Sequence, residues 1–595
     1  MIHQLDPGRR KFVQGLALGG FAAATGLRAR PSLSASSSAM MPELSGTEFD
    51  LEIAELPVNF TGRPRIATAI NGSLPGPILR WREGTQVTLR VTNRLRAQTS
   101  LHWHGILVPA NMDGVPGFSF NGIAPGETFV YQFPVKQSGT YWYHSHSKFQ
   151  EQTGVFAPLI IDPAKPDPIR ADREHVVMLN DWTDQDPDVI YAALKRQSDF
   201  FNFGKPTAPE FFRDVSTMGL QHALAKRRMW DRMRMLPTDL SDVSGATYTY
   251  LMNGTTPAGN WTGLFRPGER VRLRFINGSA STLFDVRIPG LKLTVVAADG
   301  QAVEPVDVDE FRIAAAETYD VIVQPQADQA FTIFAQAMDR SGFARGTLAP
   351  RAGMQADVPR VDARPWLSMV DMMGAMATSD AHQHEAQHDN MPAMSHEGMQ
   401  HDDMAGMDHA AAPGMQHGPT TMPKVRHART EYGYTTDMRV DAPRTNLDDP
   451  GVGLRNNGRR VLTYADLHTI GGSLYKTPPQ REIELHLTGN MERFIWSFDG
   501  QKFSDAQPVH FRLGERLRIV LVNDTMMTHP IHLHGMWSEV ESPAGEFQMR
   551  KHTVNVQPAQ RVTYLVSADV AGHWAYHCHL LYHMEAGMFR EVVVA

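Results

Sequence analysis

An all-β chain built from three related domains is what this sequence predicts. Three segments carry the prediction: NGSLPGPILRWREGTQVTLRVTN ending at Asn93, NGTTPAGNWTGLFRPGERVRLRFIN ending at Asn277, and DGQKFSDAQPVHFRLGERLRIVLVN ending at Asn523. Each runs from an Asn-Gly or Asp-Gly turn, through a loop and a glycine, into an alternating Val/Leu/Arg run. Period-two alternation after such a turn marks a half-buried antiparallel strand. Three copies far apart in one chain mark repeated domains. The expected domains cover 45–165, 170–350 and 431–595, within the roughly three or four that 595 residues suggest.

The first element in order is a leader, expected over 1–39. Arg9 and Arg10 precede Phe12 and an apolar stretch through Leu27, followed by small residues up to Ala39. The stretch is too short to span a bilayer as a stable helix and fits a cleaved signal. The arginine pair with its nearby Phe resembles a twin-arginine signal, so the expected location is the periplasm, reached by that route. No other stretch is apolar enough to cross a membrane. A net charge of −7 offers no basic surface for nucleic acid.

A second, sharper repeat lies inside the first and third domains. GTYWYHSH (Gly139 to His146) matches GHWAYHCH (Gly572 to His579), with Ser145 where the other has Cys578. Upstream stand His102 and His104 in HWH, and His529, His532 and His534 in HPIHLH. After Asn277 the middle domain has STLFDVRIPG and no such histidines, so it reads as a spacer without metal ligands. Within it, about 205–240 reads as a helical insertion. There Met229 and Met233, one helical turn apart, are read as packing residues, with a copper-contacting helix as the alternative.

Residues 351–430 form a Met/His-rich flexible segment. From Asp380 to Thr420 it has seven His, six Met, seven acids and no Lys or Arg. Such a composition buries too little to fold by itself. Met391, Met394, His396, Met399, His401, Met404, Met407 and His409 form the densest run. Thioethers are soft and prefer Cu(I), whereas imidazole serves both copper states, so this run is a candidate for Cu(I) capture.

Cys578 is the only cysteine, which excludes an internal disulfide. On a strand, alternate side chains face opposite sides. His577 and His579 therefore leave one face while Cys578 leaves the other. The same rule groups His532 with His534 and frees His529 for the opposite side. Two sites result. His529, Cys578, His583 and Met588 offer two imidazoles, a thiolate and a weak thioether, the ligand set of a blue copper electron-transfer centre. His102, His104, His144, His146, His532, His534, His577 and His579 can hold three copper ions with positions open for dioxygen.

These four histidine motifs resemble those of the three-domain multicopper oxidases over nearly the whole mature chain. The leader and the Met/His-rich insertion resemble, within that family, the bacterial copper-resistance protein A group. The resemblance implies three cupredoxin-like Greek-key β-barrels, with a helical insertion in the second and the Met/His-rich loop before the third. It implies four coppers: type 1 on His529, Cys578, His583 and Met588, type 2 on His102 and His532, and a type 3 pair on His104, His144, His146, His534, His577 and His579. The implied reaction couples four one-electron oxidations to reduction of O2 to two waters. Asp113, in NMDGVPG, matches a family acid in proton delivery. Some members carry an acid directly after the second type 1 histidine; here Met584 stands there and Glu585 follows, as the candidate for that part of the relay. Three functions stay open: a periplasmic cuprous oxidase, a laccase-like oxidase of phenols, and a non-enzymatic copper-sequestering protein. Expected partners are O2 and Cu(I) or phenolic donors, and the chain is expected to be a monomer without stable membrane insertion.

Overall fold

The computed structural model describes residues 41–233, 235–374 and 425–595. The expected leader and the candidate capture run from Met391 to His409 lie outside the described residues. What is described consists of six sheets in three successive pairs. In the first unit a four-stranded sheet (Arg65–Ile70, Glu48–Val58, Gln86–Asn93, Thr128–Pro134) faces a five-stranded one (Glu43–Ser45, Ile78–Arg82, Phe156–Asp162, Gly139–His144, His102–His104). Leu51, Val87, Leu89 and Phe133 from one sheet and Leu79, Trp81, Trp103 and Tyr143 from the other fill a common core. The middle and third units each pair a six-stranded with a five-stranded sheet.

The three units share one wiring. In each, the opening strand lies parallel to the repeat strand: Glu48–Val58 beside Gln86–Asn93, Arg173–Thr183 beside Val271–Asn277, and Arg481–Asn490 beside Arg516–Asn523. Each opening strand also pairs antiparallel with the strand that follows it, across the helical insertion in the middle unit. Parallel neighbours cannot be joined by a tight turn, so the chain crosses to the facing sheet and back, as in a Greek key.

The asparagine that ends each repeat has a structural cause. Asn93, Asn277 and Asn523 are fully buried. Each Nδ2 donates to two carbonyls: Ala97 and Ile123, Thr282 and Ile313, Met527 and Val556. Each Oδ1 accepts from the amide two residues on, at Leu95, Ser279 and Thr525. One side chain thus satisfies three main-chain groups where the strand turns a buried corner, and each left unpaired would cost about 1–3 kcal/mol.

Counting on from that asparagine places the metal motifs. Nine and eleven residues after Asn93 come His102 and His104, and after Asn523 come His532 and His534. After Asn277 the same steps reach Val286 and Ile288, both in the core. Across the sheet, His102 pairs with His144 and His532 with His577, while Val286 pairs with Ala335. The middle unit therefore uses these positions for apolar packing. Its helical insertion is present as Ala208–Met218 and Leu220–Met233. Met229 packs against the core; the side chain of Met233 lies outside what is described. Among the described residues no helix is long and apolar enough to cross a membrane.

Candidate metal centre

Cys578 ends the strand Gly572–Cys578 and is fully buried. Its Sγ lies 3.6 Å from His529 Nδ1 and 3.9 Å from His583 Nδ1, and the two nitrogens are 3.2 Å apart. The point equidistant from three such atoms lies about 2.1 Å from each, the length of a metal bond to nitrogen or sulfur. The loop closes on the sulfur: Cys578 N donates to the Met588 carbonyl, Met588 N to the His583 carbonyl, and Met588 is buried. His529 Nε2 donates to Thr525 Oγ1 at 2.7 Å, and that hydroxyl donates to Asn523 Oδ1 at 2.9 Å. The repeat asparagine thereby fixes the tautomer that turns the Nδ1 lone pair toward sulfur. His583 is stacked on Trp496 at 3.9 Å, and its Nε2 is 2.9 Å from Asp242 Oδ2.

On the other face the eight histidines gather between the first and third units. His102 stacks on His534 and His104 on His532, each pair at 3.9 Å between ring centres. His577 Nε2 lies 3.1 Å from His534 Nε2 and 3.3 Å from His146 Nε2. The outer nitrogens are held from behind. His102 Nδ1 donates to the Asp113 carbonyl, His532 Nδ1 to the His552 carbonyl, and His577 Nδ1 to the carbonyl of Cys578 itself. Asp113 Oδ2 accepts from His534 Nδ1 at 2.8 Å, so this acid spans one histidine of each unit. Ser145, at the position equivalent to Cys578, donates to Gln150 Oε1 instead.

Burial and, after it, the crowding of neighbouring rings hold His104, His532, His534 and His579 well below the usual imidazole range. His577 is pulled down to about 4, chiefly by burial. The rings are therefore neutral and their lone pairs free to ligate. Nε2 of His102, His144, His532 and His579 and Nδ1 of His104 are buried without any hydrogen-bond partner. Five such atoms in one cluster of rings, each costing about 1–3 kcal/mol if left bare, fit metal ions. Burial pushes the Cys578 thiol up, which a cation at the sulfur would reverse.

Several groups at these sites carry no motif. Glu151, in the short helix Gln150–Thr153, is buried with Oε2 2.8 Å from His144 Nδ1 and Oε1 3.9 Å from His579 Nδ1. Burial and the nearby Asp181 hold its carboxyl well above the usual range. Its only sequence signal is an acid five residues after His146. His552 joins the cluster edge, with Nδ1 3.1 Å from His104 Nε2. Asp242 belongs to the middle unit, so that unit does more than space the other two. Glu585 differs from the other candidates. It is exposed beside a cavity of about 590 Å³ whose walls include His146, Phe118 and Lys148, and its carbonyl accepts from Tyr191.

Comparison with known proteins agrees with this architecture. Three models described as multicopper oxidase match residues 52–166, 173–353 and 476–595. The chain is 58% identical to copper resistance protein A of Escherichia coli, covering 99% of each. It is 30% identical to the multicopper oxidase MmcO of Mycobacterium tuberculosis, over 89% of this chain and 83% of that one. Among solved structures, that of Fet3p, a multicopper oxidase that functions in iron import, superposes with a TM-score of 0.61 at 19% identity, covering 93% of this chain and 90% of that one. Three cupredoxin-like units, two clusters of soft and borderline ligands and these relatives converge: the chain belongs to the multicopper oxidase family, in its copper-resistance protein A group, and is a copper-dependent oxidase.

Proposed function

We propose that the protein is a cuprous oxidase of periplasmic copper resistance, taking electrons from Cu(I) and passing them to O2. Four coppers are assigned as follows: one on His529, Cys578, His583 and Met588, and three on His102, His104, His144, His146, His532, His534, His577 and His579. When bound, they supply one-electron transfer and four-electron reduction of dioxygen to two waters. The chain's part is positional. Cys578 joins the two sets through its own main chain, since its neighbours His577 and His579 belong to the cluster. Asp113, hydrogen-bonded to His534, is the acid suited to hand on protons; Glu585, exposed at the cavity rim, is at most an entry point for them.

The observation that carries the choice of donor is the environment of His583. Its ring is fully buried, and the Nε2 edge that leads away from sulfur faces Asp242 rather than an open groove. A bulky phenol needs an exposed ring edge, whereas a carboxylate at that edge holds a small cation by charge and favours the Cu(II) product over Cu(I). Asp239 lies near Asp242 in the same buried segment, and burial followed by the Asp242 and Asp199 charges pushes its carboxyl up to about 8. A buried acid such as Asp239, crowded by like charges so that it resists ionising, is stabilised by a cation. Copper resistance in the relatives' names supports the same reading. The test is steady-state O2 uptake by the fully copper-loaded protein with Cu(I) and with a bulky phenol as donors. Faster uptake with Cu(I) is expected. Uptake with the phenol alone would replace this reading by a laccase-like one, and no uptake with either would leave a copper-sequestering protein.

A further inference from the structure

The third unit holds another convergence of imidazoles and carboxylates, near the start of the described residues 425–595. His427 precedes the 3-10 turn Arg429–Tyr432, which carries Glu431; His486 lies on Arg481–Asn490; Asp524 follows Asn523. His427 Nδ1 is 2.7 Å from Glu431 Oε2 and 3.7 Å from Asp524 Oδ2. His486 Nδ1 is 2.6 Å from Asp524 Oδ2 and 3.5 Å from Glu431 Oε2. Two nitrogens and two oxygens thus alternate around one point, on side chains no more than 5% exposed.

The surroundings are those of a built site. Each carboxylate gives its other oxygen to a main-chain amide, Ala428 N to Glu431 Oε1 and Val440 N to Asp524 Oδ1, both at 2.8 Å, and so turns one oxygen inward. Each imidazole has a further carboxylate behind Nε2: Asp441 for His427 and Glu484 for His486, both at 3.4 Å. A carboxylate behind the outer nitrogen is the usual support of a metal-binding histidine. His427 Nε2 is itself buried and makes no hydrogen bond. His427 Nδ1 and His486 Nδ1 hydrogen-bond to Glu431 Oε2 and Asp524 Oδ2, so a cation at that point would take the place of two protons shared between the rings and the carboxylates.

We infer that His427, Glu431, His486 and Asp524 form a divalent-cation site suited to Cu(II). Tetragonal sets of nitrogen and oxygen select Cu(II) or Ni(II), whereas Cu(I) prefers sulfur. This rests on the proposed cuprous oxidation, of which Cu(II) is the product: the site holds the product ion one residue from Thr525, which orients His529. The soft sulfurs of the preceding segment suit the reduced ion, and this hard set suits the oxidised one.

The test uses Ni(II), a probe that does not depend on turnover, with the full-length protein holding four coppers and dialysed free of any further copper, so that a Cu(II) ion does not already fill the site. Equilibrium dialysis is expected to show one Ni(II) fewer in His427→Ala and in Glu431→Gln than in the wild type, with the blue absorption unchanged. Asp441→Asn, at an exposed position, is expected to weaken that one site about tenfold. Wild-type crystals soaked in Ni(II) are expected to give an anomalous peak between the four inward atoms, which decides the matter even if a variant fails to fold. No peak there, or equal stoichiometry in the folded variants, overturns the site. Neither result depends on O2 uptake, so failure of the site and failure of the cuprous reading are told apart.

Discussion

At the scale of single residues, the proposed chemistry turns on the sulfur of Cys578. Cys578→Ser substitutes a hard hydroxyl for the only thiolate near His529 and His583, so the intense blue absorption and turnover are both expected to vanish. The eight-histidine cluster is left intact, so copper should still bind in part; metal analysis with visible spectroscopy checks both, and a blue, active variant would sink the assignment. His486 gives a different kind of prediction. Burial alone would lower its proton affinity, but hydrogen bonds with Asp524 and Glu484 and the charges of Asp524 and Glu431 outweigh it and push it up to about 10. Its unfolded value is about 6.5, so the stability this proton confers is fully present below that pH and is lost as pH rises through about 10. Urea midpoints of chelator-treated protein between pH 6 and 10 should therefore fall more steeply for the wild type than for His486→Gln. Equal slopes would show that the proton is not held as described.

At the scale of elements, the strands of the metal sites were legible because the chemistry repeats with the backbone's own period. His577 and His579 leave one face of a strand and Cys578 the other, a consequence of alternation alone. The terminal asparagines of the repeats were visible as a pattern, though their cause, three buried main-chain groups at a corner, was not. What sequence could not reveal are groups that meet the sites from distant loops. Asp242 reaches His583 from the far end of the helical insertion, and Asp524 meets His427 across about 100 residues with no period to link them. The Met/His-rich segment is the element whose role rests on composition. Its flanks are anchored without it: Ser368 and Asp371 cap a short helix tied to Arg455, Gly374 sits against the Ala442 carbonyl, and His427 meets Glu431 on return. Deleting 380–420 should therefore leave the fold and the blue absorption in place. Cuprous oxidation at limiting copper should slow, because a tethered set of soft ligands no longer raises the local Cu(I) concentration, while phenol oxidation should be unchanged or faster. Equal loss on both donors would make the segment structural.

At the scale of the whole molecule, the packing of the three units sets how the site is assembled, and the expected leader would set where. Arg9→Lys with Arg10→Lys keeps the charge but removes the paired guanidinium groups, so a twin-arginine route should strand the protein in the cytoplasm, whereas periplasmic accumulation in cell fractions would reject that route. Assembly itself depends on the middle unit. Lys551, at the end of Phe547–Lys551 in the third unit, is fully buried with Nζ 3.0 Å from Asp299 and 2.9 Å from Glu317 of the middle unit. Burial alone would lower its proton affinity, but the two carboxylates raise it. The next residues continue the contact, for the amides of His552 and Thr553 both donate to Asp299 Oδ2, and the His552 carbonyl accepts from His532 in the cluster. One buried cation thus couples the packing of two units to the aim of His532, a ring of the candidate cluster. Lys551→Met matches the stem and removes only the charge, leaving two carboxylates unpaired in the interface. The expected cost is about 3–5 kcal/mol, read as a lower unfolding midpoint, together with loss of copper from the cluster before loss of the blue absorption at Cys578. If the midpoint held and copper content stayed whole, the middle unit would not be what holds His532 in place.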